Sequence, residues 1–314
     1  MPFVLSRFRR RCAGLLLLAC LASGGIAPAA ADPIDPTPRT AVLCAFEPEW
    51  QALRAIATDM VEQDYKGVPI ITGSIEGKPV VLAMTGVSMV NAAMTTQMTL
   101  ERYNVTRIVV SGIAGGVDPA LNIGDIAVPD RWGQYLEAIF ARESDEGFSL
   151  RPGAVQDFPN YGMIFPRGVR VFREGQATNP RQFWFEVDPA LMAVARKALA
   201  ENPPELAHCT ADNVCLTHPP QLRLGGQGVS GAAFVDNAAF RAYTFRSFKA
   251  QVLDMESAAI AQVATTNGVP FIVFRALSDL AGGGKGANEI RIFEGLASHN
   301  AVTVMRTFLR ALPE

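Results

Sequence analysis

Histidine is nearly absent. Three occur in 314 residues: His208, His218 and His299. Two flank a cysteine pair and one lies near the C-terminus, so none stands ready for a Ser-His-Asp triad. No Gly-x-Ser-x-Gly nucleophile elbow occurs either. No zinc-type histidine spacing is present, and no metal site is expected. The glycine segment Ser111-Gly-Ile-Ala-Gly-Gly116 is not a Walker loop, because no Gly-Lys-Ser/Thr follows. It is not a dinucleotide fingerprint, because Asp118-Pro119 follows where a helix would open. Runs of positive charge are also missing. The chain has 28 basic and 30 acidic residues, a formal charge of −2, and no basic stretch beyond the first dozen residues. Nucleic acid is therefore not an expected partner, since phosphate neutralisation needs a cationic surface. No internal repeat is found. With 49% hydrophobic and 18% charged residues, the chain suits a globular domain.

The N-terminus reads as an export signal. Arg7, Arg9, Arg10 and Arg11 precede the apolar run Leu15–Leu21, and Ala29-Ala-Ala31 offers a small-residue cleavage site. The apolar run is short for a membrane span. Lipidation at Cys20, in Leu17-Leu-Ala-Cys20, is the weaker alternative. Cleavage after residue 31 removes four arginines and no acids. The mature chain then carries 24 basic and 30 acidic residues, a charge of −6, and no stable membrane span. The expected location is periplasmic or secreted. That compartment is oxidising, so a small-loop disulfide between Cys209 and Cys215 is expected, with two free thiols as the alternative. Cys44 sits in an apolar run and reads as a buried core thiol.

Residues 32–39 are proline-rich and read as a linker, with structure starting at about Thr40. Ala41–Phe46 has the wholly apolar character of a buried strand. Trp50–Tyr65 reads as an amphipathic helix. Strands are expected near Pro69–Glu76, Pro79–Thr85, Arg107–Ser111 (running into a glycine turn) and Ile123–Val128, with a helix over Met89–Tyr103. After an irregular stretch of about 130–228 holding a helix at Pro189–Glu201, strands and helices alternate again to Leu312. The prediction is an α/β, three-layer sandwich around a mixed central β-sheet. It forms a single domain, about 40–314, with a long insertion.

With histidine and metal set aside, carboxylates remain. Glu49, Glu256 and Asp279 each follow an apolar strand, where α/β sheets build their sites. Any one of them could be a helix cap. Three together, each beside small-residue or glycine-rich loops, point to a site. Gly282–Gly286 with Lys285 reads as a mobile surface loop, with a phosphate clamp as the alternative.

Several segments resemble the purine nucleoside phosphorylase and nucleosidase superfamily. They are Val110-Ser-Gly-Ile-Ala-Gly-Gly-Val-Asp-Pro-Ala-Leu-Asn-Ile-Gly-Asp-Ile-Ala-Val128, Val229-Ser-Gly-Ala-Ala-Phe-Val235, Asp254-Met-Glu-Ser-Ala-Ala259 and Arg275-Ala-Leu-Ser-Asp-Leu-Ala281. Their order and spacing fit from about residue 40 to the end. The nearest branches in appearance are the 5′-methylthioadenosine/S-adenosylhomocysteine nucleosidases and the plant bark and vegetative storage proteins. The latter share Arg131-Trp132, Phe183-Trp184, Val187-Asp-Pro189, the two-cysteine loop and Phe234-Val-Asp-Asn-Ala-Ala239.

The resemblance implies roles by position. Glu49 corresponds to the water-activating carboxylate, and Asp279, aided by Ser278, to the acid that protonates the purine ring. Glu256 corresponds to the acceptor for the ribose hydroxyls, and Met255 to the side chain packed on the sugar. Phe234 corresponds to the aromatic stacked on the base, and Val235 to the residue whose backbone reads the base edge. Ala114 and Gly115 line sugar and base. Two positions depart from the pattern: Ile113 stands where bacterial nucleosidases often have serine, and the phosphorylase arginine is missing from Thr85–Asn91. The implied activity is hydrolysis of an adenine-type nucleoside without a cofactor, by a homodimer. A phosphate-dependent phosphorylase and a non-catalytic purine-binding protein are the alternatives.

Overall fold

A branched, mixed sheet organises the chain, which a computed structural model describes over residues 35–313. The expected signal segment, 1–31, with Cys12 and Cys20, lies outside the described residues. So do residues 32–34 of the expected linker.

Strand β1 (Asp35–Cys44) starts within that linker. Asp35 and Arg39 pair with Tyr103 and Val105, and the register shifts there to accommodate the prolines. Arg39 Nε also bonds Asp35 Oδ2 at 2.8 Å. Helix α1 (Glu47–Arg54) is shorter than expected. The second half of the predicted Trp50–Tyr65 helix is instead strand β2 (Thr58–Tyr65), antiparallel to β3 (Val68–Ile75), which pairs with β4 (Lys78–Met84). The turns explain the correction. Lys66-Gly67 and Glu76-Gly77 all have positive φ, the pattern of two-residue hairpin turns. Because β2 is an exposed edge strand, its apolar spacing faces no core, and ladder pairing overrides weak helical periodicity.

Helix α2 (Met89–Arg102) leads into β5 (Tyr103–Gly116), a strand of 14 residues. The expected glycine turn is thus the far end of a strand. Its glycines permit close approach rather than reversal. A Cβ on Gly112 would collide with Arg275 Nη1 and Glu49 Oε1, and one on Gly116 would meet Leu277. Strands β6 (Ile126–Val128) and β7 (Arg131–Gln134) follow, then six short strands, β8–β13, within 138–182. β14 (Trp184–Glu186) pairs with β7, so the insertion extends the main sheet at one edge. Its Phe158 and Phe183 pack on Phe248 in a second core cluster.

Helix α3 (Pro189–Glu201) begins with proline and is capped by Asp188, whose Oδ1 accepts the Ala190 and Leu191 N–H groups. Then come β15 (Leu222–Leu224), β16 (Gln227–Ser230), α4 (Ala238–Phe248), β17 (Ala250–Asp254), α5 (Ser257–Asn267), β18 (Phe271–Asp279) and α6 (Ile290–Ala311). Helix α5 ends on Gly268 in the left-handed region. Cys209 and Cys215 form a disulfide, and Cys44 is a buried free thiol.

The main sheet runs β14-β7-β16-β17-β5-β1-β4-β3-β2, with β18 branching from β5 and carrying β6 and β15. β5 is the hub. It is parallel to β1 and β18 and antiparallel to β17 at Gly115–Gly116. Helix α6, flanked by α1 and α3, covers β18 and β5, while α2 and α5 pack together as a separate helical layer. The result is an α/β sandwich around a mixed sheet. Every residue of β18 is buried, so its last residue, Asp279, is delivered to the sheet edge by a fixed strand. The ends of β1, β5, β16, β17 and β18 converge there.

Candidate active site

Glu49 lies in the first turn of α1 and is 2% exposed. Its Oε2 accepts the Ala45 N–H at 2.6 Å, reaching back to the residue before the N-cap Phe46. Its Oε1 accepts the Ile113 N–H at 2.8 Å from β5. The two bonds together tie the carboxylate between the chain before α1 and the last third of β5. Burial raises the Glu49 pKa, opposed by Arg275 and the backbone donors.

Glu256 occupies the N-cap position of α5, yet its side chain makes no capping bond. Asp254 takes that task, accepting the Glu256 and Ser257 N–H groups at 3.2 and 3.1 Å. Asp254 also receives the Ser230 and Ser257 hydroxyls. Freed from the helix, Glu256 Oε1 accepts the Ser88 N–H at 2.8 Å. Ser88 holds φ +85° and ψ 161°, a region that favours glycine, so this donor is kept in place at a backbone cost. Burial pushes the Glu256 pKa up to about 7, against the lowering pull of Arg275.

Asp279 is 3% exposed. Its Oδ1 accepts the Ala281 N–H at 2.8 Å and Oδ2 accepts the Ser278 hydroxyl at 2.9 Å. Burial raises its pKa, and these donors oppose the rise. A carboxyl whose proton is held by burial rather than by a partner is suited to act as an acid.

Arg275, from the middle of β18, reaches three carboxylates: Asp254 at 2.8 Å, Glu256 at 3.4 Å and Glu49 at 3.5 Å. It also donates to the Ile113 carbonyl at 3.3 Å and the Ser257 hydroxyl at 2.9 Å. The sequence shows Arg275 inside a motif without revealing this hub role. Asp254, likewise, reads there only as the residue before Met255. The available signal was a lone arginine in an otherwise apolar strand, since a buried cation requires buried anions.

Glu49, Ala114, Gly115, Phe234, Val235, Met255, Glu256, Ser278 and Asp279 all line one cleft of about 160 Å³. A mostly apolar wall with a few convergent carboxyl groups suits a small organic ligand. No lysine or arginine is among the lining residues. Ile113 contributes an apolar side chain to the wall and backbone groups to Glu49 and Arg275. Phe234 is 56% exposed, leaving its ring open to a flat partner. Among the described residues no cluster of His, Cys, Asp and Glu is placed to hold a metal, and no helix is long and apolar enough to cross a membrane.

Comparison with known proteins places the chain in a family. Residues 39–312 match the phosphorylase superfamily. The chain is 26% identical over 285 residues to a 5′-methylthioadenosine/S-adenosylhomocysteine nucleosidase of Mycobacterium bovis, covering 87% of this chain and 96% of that one. It is 28% identical over 238 residues to the nucleosidase of that name from a Marinomonas species, covering 76% and 84%. Among solved structures, the S-adenosylhomocysteine nucleosidase of Streptococcus pyogenes in complex with 5-methylthiotubericidin superposes with a TM-score of 0.65 at 25% identity, covering 88% and 98%. The Helicobacter pylori futalosine hydrolase shares the fold, with a TM-score of 0.63 at 20% identity over 89% and 99%.

Proposed function

The chain belongs to the phosphorylase superfamily, and we propose on that footing that it is a purine nucleosidase. It hydrolyses the N-glycosidic bond of an adenine-type nucleoside, of the methylthioadenosine or adenosylhomocysteine kind. The observation that carries this reading is the convergence of Glu49, Glu256 and Asp279 on one cleft with Phe234 at its mouth.

Glycosidic cleavage passes through an oxocarbenium-like state, and a purine leaves poorly unless protonated. Asp279 gives its proton to a purine ring nitrogen as the C1′–N bond breaks, and the bonding electrons stay with the base. Glu256 accepts the ribose hydroxyls and places negative charge near the cationic sugar, favouring the transition state over the ground state. Glu49 takes a proton from water as the oxygen bonds C1′. The products are base and free sugar, and the two carboxyl groups exchange protons with solvent to reset. Phe234 stacks on the base, the Val235 backbone reads its edge, Met255 packs on the sugar, and Ala114 and Gly115 allow close approach.

Water is favoured over phosphate as nucleophile because the cleft lining holds carboxylates and no cation. A phosphate dianion there would meet carboxylates, with Arg275 behind them already engaged by Asp254, Glu256 and Glu49. No cofactor is needed for this chemistry. The test is a nucleoside panel with base release followed by chromatography, with and without phosphate. Release independent of phosphate is expected. Strict phosphate dependence would turn the reading to a phosphorylase, and purine binding in calorimetry without cleavage would turn it to a binding protein.

The reading extends to location and assembly. The basic and apolar pattern of residues 1–31 and the Cys209–Cys215 bond both suit an exported protein. Cell fractionation should find the mature chain in the periplasm or medium. The family resemblance favours a homodimer, which size-exclusion chromatography with light scattering would test.

A further inference from the structure

Asn288 stands between two carboxylates at the head of α6. Its Nδ2 lies 3.3 Å from Asp279 Oδ1 and 3.1 Å from Asp236 Oδ1, while its own Oδ1 accepts the Ile290 N–H at 3.0 Å. The last bond fixes the amide's orientation. A backbone N–H must meet the amide oxygen, so the NH2 group is left to face the acids.

The donors around Asp279 are unevenly shared. Oδ1 receives two N–H groups, from Ala281 and Asn288, and neither nitrogen can accept a proton. Oδ2 has the Ser278 hydroxyl, which donates or accepts by rotating. A protonated carboxyl keeps its proton on the oxygen whose partner can accept it. The arrangement thus makes Oδ2 the oxygen that carries the proton.

We propose that Asn288 is a positioning residue for Asp279: it holds Oδ1 as an acceptor, directs the transferable proton to Oδ2, and couples the acid to the loop before α6. The inference rests on the acid role given to Asp279 above. In the step, the Oδ2–H bond breaks, an N–H bond forms on the purine ring, and the glycosidic electron pair moves into the base. The anion left on Asp279 is then shared by the Ala281, Asn288 and Ser278 donors. Its charged surroundings are unfavourable. Glu289 follows Asn288, Asp236 lies across the amide, and Glu49 and Glu256 line the same cleft. Among the described residues no lysine or arginine is hydrogen-bonded to Asp279. Asn288 is a neutral donor placed where two acids would otherwise face each other.

Two variants test this. Asn288→Asp keeps an acceptor for the Ile290 N–H and replaces the donor by an anion. Asn288→Ala removes both. In each, kcat should fall about tenfold or more, with KM changed far less. The limb of the pH–kcat profile set by the acid should move to higher pH, further in Asn288→Asp. Because Asn288→Asp sets a third acid between Asp236 and Asp279, its melting temperature should fall more in alkaline than in acidic buffer. Profiles that superimpose on an active wild type would overturn the proposal alone, as would a lowered melting temperature with unmoved limbs. Absence of base release by the wild type with every nucleoside tried would overturn the nucleosidase reading, and this inference with it.

Discussion

Arg275 makes its shortest ion pair with Asp254, at 2.8 Å, and stands 3.4 and 3.5 Å from Glu256 and Glu49. Asp254 is thus the dedicated counter-ion. Glu49 and Glu256 share what remains of one positive charge, so burial prevails and both pKa values rise. One cation for three buried acids keeps the site close to the point where a proton enters or leaves.

Removing that cation should be costly. Arg275→Met leaves Asp254, Glu256 and Glu49 buried without compensation, and loss of one partner of a buried pair typically costs about 3–5 kcal/mol. Urea unfolding should show a fall of that order. An unchanged midpoint would mean that the three acids simply take up protons.

The two acid–base groups should be separable from binding. Glu49→Gln and Asp279→Asn each lose general acid–base help, a factor of about 10²–10⁴ in kcat. Both retain the cleft and Phe234, so calorimetry should still detect the purine base. Full activity in Asp279→Asn would remove the proposed acid.

Stability should fall as the solution turns alkaline. Glu256 has a folded pKa of about 7 against an ordinary 4.5. A raised carboxyl pKa stabilises the fold fully below 4.5, and that contribution is lost as pH rises through about 7. Glu49 and Asp279, raised by burial too, act in the same direction. The melting temperature should therefore decline between mildly acidic and mildly alkaline buffer. Glu256→Gln should flatten the slope. An identical slope in that variant would contradict the assignment.

Ser88 offers a stabilising substitution at the site's edge. Its φ of +85° is strained for a side chain, at about 1–3 kcal/mol. Ser88→Gly keeps the N–H that serves Glu256 and removes the strain. The net gain should be about 1 kcal/mol after the added freedom of the unfolded chain, with kcat/KM retained. A lower melting temperature would show that Ser88 is not strained.

Much of the architecture was legible because burial leaves a mark on composition. The apolar run expected as a strand at Ala41–Phe46 falls in β1 up to Cys44, and the helix expected at Pro189–Glu201 is α3. Two readings failed where pairing partners decided. Thr58–Tyr65 became a strand only because β3 lies beside it. The glycines after Ser111 extend a strand because β18 and β17 pair with them, and Gly112 leaves room for Arg275 and Glu49. Local pattern carries no information about a neighbour brought from far along the chain.

The candidate site divides in the same way. Residue type and order alone pointed to carboxylates, since three histidines placed away from the motifs leave little else. They also singled out Glu49, Glu256 and Asp279. Only the tertiary structure decided that Asp254 relieves Glu256 of capping, that Arg275 joins β18 to three acids, and that Asn288 meets Asp279. A hydrogen bond or an ion pair depends on distances of a few tenths of an ångström between groups up to 226 residues apart. Those distances exist only once the core has packed.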